Sequence, residues 1–206
     1  MATPNILSPI SLTGKNSIDS LIGVTKWGAS TGTSVSLTYS FSNSNSYYPN
    51  NYSDGMAEPL NEPLYGLGSL TSTQQNAARN VLKAWSEIAN IQFTEVADKN
   101  LGDQSNFGDL RFARTSSKGP DQIDTAWGYY PEGSKTEPPS RAGDVWFTYN
   151  SQYDTDSKGT YGYYIFLHEI GHTLGLKHPS GGDKRPQRQI PKEFYLFCSR
   201  AKYRAY

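Results

Sequence analysis

His168, Glu169, His172, Gly175 and His178 stand in the spacing H-E-x-x-H-x-x-G-x-x-H, and this stretch holds all three histidines of the chain. On a helix, His168 and His172 project from one face, one turn apart. Two neutral imidazoles so placed can share one Zn²⁺ at the usual Zn–N distance of about 2.0–2.1 Å. Gly175 can take a positive φ without a Cβ penalty, end the helix and turn the chain back. That turn carries His178 round as a third ligand and leaves a tetrahedral position open for water, the arrangement of a catalytic zinc site. Glu169, next to the first ligand, is placed to act on that water as a general base. Five fixed residues at fixed offsets arise by chance in a chain this long on the order of once in 10⁵ sequences.

These residues need elements to hold them. The motif helix is predicted over about 161–175, with Tyr163, Tyr164, Ile165, Phe166 and Leu167 as a buried lead-in. Thr71 followed by Gln74 reads as a capping box, and Ala78, Val81, Leu82, Trp85, Ile88 and Ala89 fall at helical spacing, predicting an amphipathic helix over about 72–89. Val35, Leu37, Tyr39 and Phe41 alternate with Ser and Thr, the period of a strand with one buried face. Further strands are expected at 91–96, 109–114, 125–130 and 143–147, the third closed by Pro131 in a way that suits an edge. Residues 42–70, rich in Pro, Gly, Asn and Tyr, read as a long surface connection containing the sequon Asn51-Tyr52-Ser53. The opening residues 1–33 carry one apolar knot, Ile18, Leu21, Ile22, Val24 and Trp27, expected as a short helix or turn packed on the domain.

Composition sets the outer limits. At 206 residues, with 35% hydrophobic residues, 19 Gly and 15 Tyr, the chain suits one loop-rich domain with a small appendage. No run is apolar enough to span a membrane, and no secretory leader is visible at the N-terminus. The single Cys198 excludes an internal disulfide framework and a thiolate cluster. Net charge is zero but uneven: residues 1–179 carry 12 Lys+Arg against 17 Asp+Glu, and residues 180–206 carry 7 against 2. The basic tail is too little to argue for nucleic acid, which is not expected as a partner. Asp154 to Gly159 opens like an EF-hand loop, but Lys158 and Ile165 stand at its fifth and twelfth positions, so calcium is not supported.

With these elements in order, the chain resembles the metzincin metalloproteases, and most closely their serralysin branch of secreted peptidases. The likeness rests on His168 to Pro179, on Thr25-Lys26-Trp27-Gly28, on Leu37-Thr38-Tyr39-Ser40-Phe41, on Ala84-Trp85-Ser86 through Phe93-Thr94-Glu95, and on Gly143-Asp144-Val145-Trp146-Phe147. It implies an α+β fold: a twisted, mixed five-stranded sheet with two long helices and the zinc in a cleft below an edge strand. Residues 125–130 match that strand, so Ala126, Trp127, Gly128 and Tyr129 are candidates to pair with an extended peptide; an ordinary sheet edge would read the same way. The resemblance also implies an extracellular, monomeric zinc endopeptidase acting on proteins or peptides. It further implies a methionine turn after His178, calcium repeats and a C-terminal export signal. The methionines are Met1 and Met56, both upstream, and the likeness stops near Pro179. The expected layout is therefore an N-terminal segment over 1–24 (a propeptide remnant), a catalytic domain over 25–179 with its C-terminal subdomain largely missing, and an atypical, truncated or frameshifted tail over 180–206. The alternative to an active enzyme is a catalytically inactive fragment that still binds zinc or peptide.

Overall fold

The computed structural model describes residues 7–49, 52, 62–98, 107–116, 125–131, 141–149 and 157–179. The sequon at Asn51, the start of the EF-hand-like loop and the whole basic tail lie outside these residues.

In chain order the elements are β1 (Leu7–Pro9), the one-turn helix α1 (Asn16–Asp19), β2 (Thr25–Trp27), β3 (Val35–Phe41), α2 (Ser72–Ile88), β4 (Ile91–Glu95), β5 (Leu110–Thr115), β6 (Ala126–Gly128), β7 (Asp144–Thr148) and α3 (Tyr161–Thr173). A short 3₁₀ turn, Glu62–Leu64, precedes α2. The strands after β2 form one five-stranded sheet in the order β4-β3-β5-β7-β6. Its first four strands run parallel, and β6 alone is antiparallel, paired with β7 in the register Ala126↔Phe147, Trp127↔Trp146 and Gly128↔Val145. This is the mixed α+β sheet expected, with both long helices present.

Local chemistry explains most of the boundaries. Thr71 caps α2 by accepting from the Gln74 backbone at 3.2 Å, while Gln74 accepts from the Thr71 backbone at 3.0 Å. The inward stripe of α2 is Ala77, Ala78, Val81 and Leu82, with Gln74 buried as well. Ile88, expected on that stripe, is 78% exposed: it sits on the last turn, where the chain leaves the helix for β4. Both helices pack their apolar residues against Leu37, Tyr39, Leu110, Phe112, Val145 and Phe147 of the sheet, with Phe147 stacked on Phe166 at 4.2 Å. The lead-in of α3 is buried at Tyr163, Ile165 and Phe166, whereas Tyr164 is half-buried and Leu167 reaches the surface. A continuous apolar run hides the helical period, and only the packing chooses its inward face.

The opposite face of the sheet carries a second, polar-lined core of Tyr48, Tyr52, Ala113, Trp127 and Trp146. The connection 42–70 therefore is more than a surface loop: Tyr48 and Tyr52, with Ser42, Ser46, Glu62 and Leu70, are buried, while Tyr65 stays exposed. Tyr52 donates to Asp144 at 2.8 Å and accepts from Trp146 at 2.8 Å. Arg111 pairs with Asp98 through two bonds of 3.0 and 2.9 Å, both side chains 1% exposed. The N-terminal apolar knot is also redistributed. Trp27 is buried, but Ile18 and Val24 are exposed, and the segment's order comes from β1 pairing antiparallel with β2. β1 and β2, three residues each, show no alternation in the sequence that would mark them as strands.

Candidate metal centre

Thr160 begins α3 by accepting from the Tyr163 backbone at 3.3 Å. The helix ends two residues before the expected position 175, because Gly175, at φ +99°, stands outside it in the left-handed region. The Gly175 N–H donates to His172 O at 2.9 Å and the Leu176 N–H to Gly171 O at 3.0 Å, the paired bonds of a Schellman turn. His168 and His172 sit on the last turns before it, and His178 lies just beyond.

What holds the returning loop is the N-terminal segment. Gly23 N–H donates to Gly175 O at 2.7 Å, Lys177 N–H donates to Leu21 O at 2.8 Å, and Ile22 bridges Leu176 antiparallel. Trp27 donates from its indole to Thr173 O at 2.7 Å, satisfying a carbonyl at the helix end. Thr25 reaches Pro131 O at 2.6 Å, just past β6.

The three imidazoles converge. The Nε2 atoms of His168 and His178 are 2.7 Å apart, and that of His172 is 3.1 Å from each. His172 Nδ1 lies 2.7 Å from Leu176 O, so it is this nitrogen that carries the hydrogen and Nε2 that offers its lone pair. A neutral imidazole has one acceptor nitrogen, and three aimed at one point are the donor set of a cation. Tetrahedral zinc at about 2.0–2.1 Å requires nitrogens about 3.3 Å apart, slightly wider than this triangle. His168, His172 and His178 are thus a triad able to hold a metal. Tyr130 packs edge-on to the His172 ring at 5.3 Å and Tyr164 lies 5.7 Å from that of His168, bracing two of the three.

Burial shapes the protonation of the site. It pushes His168 down to about 4, helped by the fields of His172 and His178, and lowers His172 as well, against the pull of the Leu176 carbonyl. Both imidazoles are held neutral, the form a metal requires. Glu169 is 6% exposed, and burial pushes its carboxyl up to about 8, opposed by a hydrogen bond with the Gly128 backbone. A dication beside it acts the other way and favours the carboxylate.

The edge strand lies against this helix. Gly128 packs on Glu169 O and Thr173, with no room for a side chain. In the antiparallel ladder, Thr125 and Tyr129 bond β7, and by alternation the main-chain groups of Ala126 and Gly128 point away from it, to a side with no further strand among the described residues, where the Gly128 N–H meets the Glu169 carboxyl. The side chains of Trp127 and Tyr129 turn to the other face, where both donate to Glu62. Neither Glu62 nor the Leu21–Thr25 tie was legible beforehand. Each acts across a long sequence separation, and only the Gly-rich composition around the tie hints at close backbone approach.

A profile of the matrixin family, peptidase M10, matches residues 68–184. Serralysin B of Dickeya chrysanthemi is 33% identical over 153 residues, 72% of this chain and 27% of that protein. Serralysin of Photorhabdus sp. (strain Az29) is 31% identical over 199 residues, covering 91% of this chain and 36% of its own length. Serralysin of Proteus mirabilis is 36% identical over 126 residues, 57% of this chain and 24% of the relative. The chain spans roughly a quarter to a third of the relatives it matches.

Proposed function

The chain belongs to the matrixin family of metallopeptidases, on its serralysin side, and from that premise we propose that it is a zinc-dependent endopeptidase acting on proteins. The observation that carries this reading is the convergence of three imidazole Nε2 atoms at 2.7–3.1 Å beside a buried carboxyl and the last strand of the described sheet.

His168, His172 and His178 hold the ion, and the Leu176 carbonyl keeps His172 in the ligating tautomer. Bound zinc supplies a water acidified to a pKa near about 7 and an electrophile for the scissile carbonyl. Glu169 takes the proton from the attacking water and passes it to the departing amine, a role that suits a carboxyl whose burial keeps its proton affinity high. Extended substrate adds as a further strand along β6, bonding the outward main chain of Ala126 and the Gly128 carbonyl; main-chain bonding accepts many sequences. The catalytic unit is residues 25–179, tied through Leu21–Val24 to the N-terminal segment, with 180–206 as a basic tail. No described helix is long and apolar enough to cross a membrane. Likeness to serralysins supports action outside the cell on protein substrates.

The test is zinc content of the purified chain measured beside hydrolysis of casein. Stoichiometric zinc with hydrolysis that Glu169→Ala lowers about 10²–10⁴-fold, without loss of metal, supports the assignment. Zinc without hydrolysis leaves a metal-binding module and overturns the enzymatic reading.

A further inference from the structure

We propose that Glu62 is a positioning residue for substrate, fixing the height of the edge strand from the face opposite the metal centre; the inference rests on the peptidase reading above. β6 has three residues and, among the described residues, a single strand neighbour, so its ladder alone holds it weakly. One face is set by Gly128 against the backbone of α3. The other is set by Glu62, which is fully buried. Its Oε1 accepts from the Trp127 indole at 3.0 Å and, in a shorter bond, from the Tyr129 hydroxyl. Those two side chains flank Gly128 in sequence, so a single carboxylate oxygen holds the strand on both sides of Gly128, from its middle to just past its end.

Glu62 is itself anchored to the interior of the sheet. Thr115 of β5 donates to Glu62 O at 2.9 Å, Ser116 N–H donates to Tyr65 O at 2.6 Å, and Gly68 bridges Arg114. The anchor thus refers the outermost strand to one two places further in. Glu62 Oε2 is buried with no hydrogen-bond partner among the described residues. Such an oxygen costs stability, and packing alone would be served better by an apolar side chain. The geometry instead gives both indole and phenol one acceptor. A displaced or loosened β6 weakens the main-chain bonds that hold an extended peptide along it.

Glu62 touches no reacting atom, so its loss acts on binding. In the full zinc-loaded chain, Glu62→Leu is expected to raise KM for a casein-derived peptide about tenfold while kcat stays within about twofold. Amide exchange in the segment 125–131 quickens, while that of 161–173 is unchanged. Glu62→Gln keeps an acceptor oxygen and brings both readouts back towards wild type. Tyr129→Phe deletes one hydroxyl, repeats the pattern at smaller amplitude, and serves if Glu62→Leu fails to fold. Wild-type exchange at 125–131 in these variants, or a fall in kcat at constant KM, overturns the proposal. A wild-type chain that binds zinc but hydrolyses nothing removes the peptidase reading instead, and exchange then decides whether Glu62 sets β6.

Discussion

Glu169 shows how strongly one residue's role depends on its surroundings. Burial raises its carboxyl from the ordinary 4.5 to about 8. In the metal-free chain the protonated group therefore contributes stability that is fully present below pH 4.5 and lost as pH rises through 8. Glu169→Gln has no proton to lose. Denaturant unfolding of the metal-free proteins should show wild type falling behind this variant between those limits. Added zinc, which favours the carboxylate, should narrow the gap; a difference independent of pH would mean the carboxyl is solvated after all. His168 has the opposite sign. Its folded value lies below the ordinary 6.5, so its contribution is present above that pH and fades as pH falls towards 4.

At the scale of elements, α2 and α3 announced themselves because their signals are local. A capping box spans four residues, and the turn at Gly175 is a property of six consecutive positions, 171–176. The strands of the large sheet were legible for the same reason, each within a residue or two. The tie between Leu21–Gly23 and the loop after α3 was not, since it joins segments far apart in the chain and involves hardly any patterned side chain. That tie carries a prediction. A Cβ on Gly23 would lie 2.9 Å from the Gly175 carbonyl, and backbone cannot swing away as a side chain can. Gly23→Ala should push the loop bearing His178 outward. Zinc affinity, measured by competition with a chelator, should fall about 10–100-fold while the circular dichroism stays native. Unchanged affinity would mean the N-terminal segment does not position the third imidazole.

The whole molecule is built on two cores, one on each face of a single sheet. The first was readable from the alternation of β3 and the stripe of α2. The second was hidden in a connection whose Pro, Gly and Asn content suggested surface, because what buries Tyr48 and Tyr52 is the back of β5 and β7. Its keystone is the pair Asp98–Arg111, with Arg111 also lying over Tyr48 at 3.9 Å. Burial works to raise Asp98, but the Arg111 bonds and charge, with Ser46 and Ser40, hold it below its ordinary 3.8. Its contribution is present above that value and lost as pH falls further. Asp98→Asn leaves a buried guanidinium unpaired, and urea unfolding at neutral pH should show a loss of about 3–5 kcal/mol. A change under about 1 kcal/mol would mean water already reaches the pair.

By itself, the sequence determined the family, the triad and the helix that bears it. Two imidazoles four apart, a neighbouring carboxylate and a glycine beyond them specify their geometry within a dozen residues. Tertiary structure decided what braces that geometry. Gly23 meets Gly175, Trp27 reaches Thr173, and Trp127 with Tyr129 meets Glu62. Such contacts depend on where the chain returns in space, and a hydrogen bond between distant residues leaves no periodic trace in either segment.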